Sequence, residues 1–170
     1  MKDTVVAAVN EQINAELESA YLYLAMSASM QRKNLPGLAQ WLRLQWEEEL
    51  VHALKFYDFL LQRDAPVELT QLPKPEVNFE SALQAFEAVL EHEQYITGRI
   101  SDLYDLSVKE KDYPLQSLLK WYIDEQVEEE DNARAAIDAL RLVEGSGPGL
   151  FLFDREMGVR KRGAGASAPA

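Results

Sequence analysis

Four stretches of this chain, each about thirty residues long, repeat apolar side chains every three to four positions. They run from about Asp3 to Lys33, Pro36 to Arg63, Phe79 to Lys109 and Leu115 to Val143. That period is the period of the α-helix, so each stretch is an amphipathic helix in search of partners. "KNLPG" and "KDYP" separate the first from the second and the third from the fourth; breaks this short make antiparallel neighbours. Pro36 suits a helix start, and Asn78 and Ser81 are capping candidates for the third. The middle connector, "DAPVELTQLPKPEVN", carries three prolines and no periodicity. Extended, about 14 residues reach roughly 46 Å. A helix of about 27 residues is roughly 40 Å long. The connector can therefore cross the whole assembly and leave the second and third helices parallel, and a structureless loop of that length needs such a reason.

The expected fold is all-α: a four-helix bundle over about 3–144 with a long crossover between helices two and three. "EGSGPG" stops the fourth helix, and "LFLFDREMGVRKR" gives a short fifth C-terminal helix at about 147–160. One domain, 1–162, is expected, followed by a low-complexity tail, "GAGASAPA" at 163–170, read as disordered. The length suits one ordinary core.

Charge and composition narrow the function. A net charge of -12 argues against nucleic acid, which needs Lys and Arg against phosphate, and suits attraction of cations. With no cysteine, thiolate zinc sites and thiol catalysis are excluded. No run is apolar enough for a signal peptide or a membrane span, so a cytoplasmic location is expected.

The inward stripes carry a contradiction. Helix one reads Val9, Ile13, Glu16, Ala20, Tyr23 and Ser27; helix two Leu38, Leu42, Gln45, Glu49, His52, Phe56 and Phe59. Helix three reads Phe79, Phe86, Leu90, Glu93, Ile100 and Leu103; helix four Leu115, Leu119, Tyr122, Gln126, Glu129, Ala133, Ala136 and Leu140. Each apolar stripe is broken by polar residues near its middle. Burying such groups costs several kcal/mol unless they are paired. At a rise of about 1.5 Å per residue, Glu16, Glu49, Glu93 and Glu129 all lie roughly 18–25 Å from one end of the bundle. They share one layer, with no inward Lys or Arg beside them. Four confined carboxylates need countercharge, and two divalent ions would supply it. Glu49 and His52, spaced i and i+3, can reach one ion. An oxygen-rich set with one imidazole suits iron, manganese or a similar ion better than structural zinc, and magnesium or calcium rarely takes histidine.

This pattern resembles the ferritin-like di-iron bundles, which use a Glu from two helices and Glu-x-x-His from the other two. Here the second Glu-x-x-His is altered, since "DEQVEEED" offers Gln126 and Glu129, a change that resembles the non-haem ferritins rather than bacterioferritins or rubrerythrins. The resemblance spans about residues 5–160, through "NEQINAELESAYLYLAM", "EEELVHA", "DYPLQSLLKWYIDEQVEEE" and "GLFLFDREM". It implies one iron held by Glu16, Glu49 and His52, with Glu49 bridging, and a second held by Glu93 and Glu129 with Gln126 close by. Tyr23 and Trp121 match aromatic positions beside the centre, and Tyr23 and Gln126 are the implied catalytic side chains. A third iron site on the cavity side is implied at Glu48, Glu125, Glu128 and shared Glu129, and by these acids the chain resembles the non-haem ferritins of the prokaryotic type. Leu50 stands where haem-binding relatives carry methionine, so no haem is expected. Gln116 and Leu119 stand where animal ferritins line an inlet with acids, which leaves that route unsupported.

The resemblance implies iron storage: Fe²⁺ oxidised by O₂ or H₂O₂ at a di-iron ferroxidase centre, the ferric product kept as mineral in a homo-oligomeric cage of 24 subunits. The alternatives are a soluble di-iron oxidase or peroxidase without storage, and a structural metal-binding bundle. Leu150, Phe151, Leu152 and Phe153 would be an aggregation liability on a monomer, so the fifth helix is expected to turn away from the bundle and bury them against symmetry mates. His92 lies about 100° around the helix from Glu93 and reads as a surface histidine. Glu47 and Glu130 read as solvated, Met26, Met30 and Met157 as packing residues, and "RKR" as too short to bind nucleic acid.

Overall fold

The computed structural model describes residues 1–159 and contains five helices: α1 (Asp3–Arg32), α2 (Pro36–Gln62), α3 (Ala82–Lys109), α4 (Tyr113–Leu142) and α5 (Gly147–Met157). The 163–170 tail, the "RKR" run and the expected end of the fifth helix at 160 lie outside the described residues. No described helix is long and apolar enough to cross a membrane.

Helix starts follow local chemistry. α3 begins at Ala82 rather than Phe79, because the Ser81 side chain accepts from the Gln84 amide (3.1 Å) and fixes the first turn there. α4 begins two residues before the expected Leu115, because Asp112 caps it through the Leu115 amide (3.1 Å) and Pro114 fits the first turn. The four bundle helices end alike. Asn34, Asp64, Lys111 and Gly145 take positive φ just beyond them, a left-handed residue that turns the chain out of the helix.

Contacts between helices fix the topology. Glu16 of α1 meets Glu49 and His52, while Ser27 donates to the Ala39 carbonyl (2.7 Å), so α1 and α2 run antiparallel. Tyr23 reaches Glu93 and Gln12 meets Arg99, which sets α3 antiparallel to α1 as well. α2 and α3 are thus parallel, and 63–81 is a crossover along the bundle. Asn10 and Asn14 hold it like rungs of a strand ladder. Asn10 donates to the Pro66 carbonyl (3.0 Å) and accepts from the Glu68 amide (2.7 Å); Asn14 does the same with Glu68 and Thr70, both at 2.8 Å. The 66–70 stretch of a connector without secondary structure thereby gains partners for its backbone.

The core is split in two. One apolar cluster, including Met26, Met30, Leu38, Leu42, Phe86 and Leu140, fills the end near the α1–α2 turn; Val9, Ile13, Phe56, Leu60, Ile100 and Leu115 belong to the cluster at the other. The polar layer lies between them. Ser27, Phe59, Phe79 and Leu90, expected to face inward, are half-buried flank positions.

α5 corrects its expected placement. It does not turn away: Leu150, Phe153 and Met157 pack on the first cluster, while Phe151 and Leu152 stay exposed. Its buried Asp154 accepts from the backbone amides of Gly37 (3.1 Å) and Leu38 (2.9 Å). α2 has Leu35 at its N-cap and no side-chain cap of its own, so a carboxylate from α5 satisfies its free amides and meets the positive end of its dipole. Position 37 is glycine because a Cβ there would stand 1.6 Å from the Asp154 carbonyl oxygen. Losing a cap of this kind costs about 2 kcal/mol, so Asp154→Ala should lower the denaturant midpoint and speed amide exchange at Gly37 and Leu38. Unchanged exchange at both amides would show that α5 does not cap α2.

Candidate metal centre

Each helix delivers part of one buried layer. α1 supplies Glu16 and Tyr23, α2 Gln45, Glu48, Glu49 and His52, α3 Glu93, and α4 Gln126 and Glu129, and all of these are buried. Glu16, Glu49 and His52 each place one ligand atom within 4.8 Å of the other two, and so do His52, Glu125 and Glu129. His52 stands between the two groups: its Nδ1 lies 3.3 Å from Glu49 Oε2 and its Nε2 3.9 Å from Glu125 Oε1.

The carboxylates are oriented by amides. Gln12 donates to Glu16 Oε1 (2.8 Å) and Gln45 to Glu129 Oε2 (2.8 Å). Tyr23 donates to Glu93 Oε1, and Gln126 donates to Glu93 Oε2 (3.1 Å). Glu16 and Glu129 are thus each held at one oxygen by an amide, and Glu93 at both oxygens. Among the described residues, Glu16 Oε2 and Glu49 Oε2 are buried with no hydrogen-bond partner. Two buried carboxylate oxygens without a hydrogen-bond donor, one of them 3.3 Å from His52 Nδ1, suit a shared proton or a cation.

Electrostatics agree. Burial, then the Glu49 charge, pushes the Glu16 carboxyl up to about 8. Burial and Glu93 push Glu129 up to about 8. Burial raises Glu49 well above the usual carboxylate range, reinforced by Glu93 and Glu129, so Glu49 feels both halves of the layer. Glu93 is raised by burial too, against the pull of its Tyr23 and Gln126 hydrogen bonds. The layer therefore stores protons at neutral pH when nothing else neutralises it.

An acidic gradient leads outward along α4. Glu129 is buried, Glu125 half-buried and Glu128 exposed, with buried Glu48 across from them on α2. Burial raises Glu125, opposed by His52 and reinforced by Glu128 and Glu48. The aromatic surround is equally ordered. Trp121 meets the His52 ring edge-on at 5.4 Å, and Tyr122 donates to the His52 carbonyl (2.6 Å). His92 is no surface histidine. It is half-buried, 2.7 Å from Ser19 Oγ and edge-on to Tyr23 at 5.8 Å, and burial lowers it to about 4. Glu130, read as solvated, accepts from Thr97 (2.8 Å), which in turn accepts from Gln126 (3.3 Å).

Sequence reasoning placed Gln45 and Tyr122 inward without assigning them work, and it missed Gln12, Ser19 and Thr97. Gln12 was findable, since it stands one turn before Glu16 on the same face. Ser19 and Thr97 gave no signal, because small hydroxyl residues occur on any helix flank.

Residues 6–143 match the ferritin-like domain family. The chain is 41% identical over 151 residues to a bacterial non-heme ferritin of Campylobacter jejuni, covering 89% of this chain and 90% of that one. The chain belongs to the ferritin family. A bacterial non-heme ferritin of Staphylococcus saprophyticus is 38% identical over 153 residues, 90% of this chain and 92% of its own. Among solved structures, an open pore ferritin from the archaeon Archaeoglobus fulgidus superposes with a TM-score of 0.93 at 41% identity, covering 95% of this chain and 98% of that one.

For this ferritin-family chain the raised carboxyls set a pH dependence. Below 4.5 Glu16 and Glu129 are protonated folded or unfolded; between 4.5 and about 8 only the folded protein keeps those protons. Folding is thus progressively penalised as pH rises through this window, and the penalty is complete above it. His92 acts oppositely, but only below its ordinary value of 6.5. Metal-free protein should therefore lose stability between pH 6.5 and 8.5 in urea titrations, and a divalent ion should restore it, more strongly at the higher pH. A flat metal-free profile would remove the buried-proton account.

Proposed function

We propose that the protein stores and detoxifies iron, oxidising Fe²⁺ with O₂ or H₂O₂ at a buried two-iron ferroxidase centre and holding the ferric product in a cage of 24 like subunits in the cytoplasm. The observation that carries this reading is the pair of buried oxygens without a hydrogen bond, Glu16 Oε2 and Glu49 Oε2, in a layer assembled by all four bundle helices. Glu16, Glu49 and His52 take one iron, Glu93 and Glu129 the second, and Glu49 touches both. Gln126 is tied by its amide nitrogen to Glu93 and Thr97, so its remaining polar atom is the carbonyl oxygen, which suits a cation. Glu48, Glu125 and Glu128, with Glu129, form the outward set for a third ion between the pair and solvent.

Iron is substrate here, and the protein's share is placement. Two Fe²⁺ held together can deliver two electrons to one oxidant, which avoids one-electron oxygen products, while the apolar clusters above and below keep water off the pair. The relatives carry the name ferritin, and the exposed Phe151 and Leu152 favour assembly over a free-standing oxidase, since two adjacent large apolar side chains need cover.

Glu49→Ala should lose rapid Fe²⁺ oxidation more completely than Glu93→Ala in stopped-flow assays. Removing a mere outer partner of a metal ligand costs roughly 10–100-fold, and a ligand shared by both ions should cost more. Equal, near-wild-type rates in the two variants would sink the bridging role. Light scattering on the same preparation separates the readings: a particle of cage size that gains mass with iron means storage, a monomer or dimer means the soluble oxidase.

A further inference from the structure

Outside the carboxylate layer, the least explained group is half-buried His92. Its ring lies 5.8 Å from Tyr23 on one side and 6.0 Å from Tyr95 on the other. Tyr23 is fully buried, with its hydroxyl on Glu93; Tyr95 is 55% exposed. Three rings in series thus join the metal layer to the outer face of α3. Tyr95 is also tied to the layer by polar contacts: Arg99 donates to its hydroxyl (3.3 Å) and to Gln12 Oε1 (3.0 Å), and Gln12 donates to Glu16. Ser19 donates to its own helix at the Ala15 carbonyl (3.1 Å), so toward His92 it can only accept. That assigns the proton to Nε2 of a neutral imidazole and fixes the ring between the two phenols.

We propose that Tyr23, His92 and Tyr95 form a path by which an oxidising equivalent leaves the centre and is discharged at the surface. The path rests on the ferroxidase reading above and concerns the case that reading leaves open, an oxidant that meets one Fe²⁺ instead of two. Hydrogen peroxide needs two electrons to break its O–O bond and leave two hydroxides. Fe²⁺ supplies one and becomes Fe³⁺. Tyr23 supplies the other, its proton passing to the Glu93 carboxylate on which it already rests. Tyr95 then gives an electron to the Tyr23 radical through the His92 ring and its own proton to solvent, and Tyr23 recovers its proton from Glu93. The gain is chemical: Glu93 is freed to hold iron again, and the radical stands in water, where small reductants reach it.

The test loads the full-length protein anaerobically with one Fe²⁺ per chain, adds one equivalent of H₂O₂ with a nitroso spin trap, and maps the adduct by peptide mass spectrometry. Iron oxidation is followed in the same mixture. The adduct is expected on Tyr95, lost from that peptide in Tyr95→Phe, and lost from Tyr95 in His92→Leu while Fe²⁺ is still oxidised. Tyr21 is the control, exposed on α1 two residues from Tyr23 but outside the ring series. Adduct yield on Tyr21 equal to that on Tyr95, labelling of Tyr95 that survives His92→Leu, or oxidised iron with Tyr95 unlabelled would each overturn the path alone. Failure to oxidise Fe²⁺ at all would overturn the ferroxidase reading and the path with it.

Discussion

Four carboxylates and an imidazole share one buried layer between two apolar clusters, and most of the molecule is arranged around the cost of that placement. A buried carboxylate without countercharge favours its protonated form, and burial pushes Glu16 and Glu129 up to about 8. The clusters on either side must therefore supply the stability the layer withholds. They do it with large apolar side chains, Met26, Met30, Phe56 and Phe86 among them, all fully buried. A core of this form trades cohesion at its centre for affinity toward cations.

Placement of the layer depends on amide side chains that orient the carboxylates. Gln12, Gln45 and Gln126 each spend an amide N–H on one carboxylate oxygen, and at Glu93 the Tyr23 hydroxyl holds the other. Arg99 holds Gln12 from outside, and Thr97 and Glu130 hold Gln126. Amides are well suited to this. They orient a carboxylate without adding charge, so they do not compete with the cation they prepare for, as an Arg or Lys would. The same economy appears at the ends of the fold, where Asp154 serves α2 from another helix and two asparagines hold an otherwise bare connector.

The sequence made the bundle legible because the helices are long, their stripes regular and their breakers sharp. Even the polar layer could be placed, since equal heights along four helices follow from the rise per residue alone. What escaped was anything set by flank geometry. His92 read as surface because its angle from Glu93 places it off the inward stripe, yet the α1–α3 contact is close enough to cover it, with Ser19 offering an acceptor. α5 read as an outward arm because four apolar residues in a row look like an interface. In fact a helix divides them, two inward and two outward, and Asp154, an acid in an apolar segment, was the overlooked sign of a second anchor. Ser27 and Phe59 sit at the margins of their stripes, where a small rotation of the helix decides burial.

The central claim is that protons in this layer hold places meant for cations. Calorimetric titration with Mn²⁺ at pH 7, repeated in buffers of different ionisation enthalpy, measures the ions bound and the protons released together. The account predicts two ions per chain bound with net proton release, and a smaller release in Glu16→Gln and Glu129→Gln. Tight binding of two ions with no proton release, or a release unchanged in both variants, would contradict it.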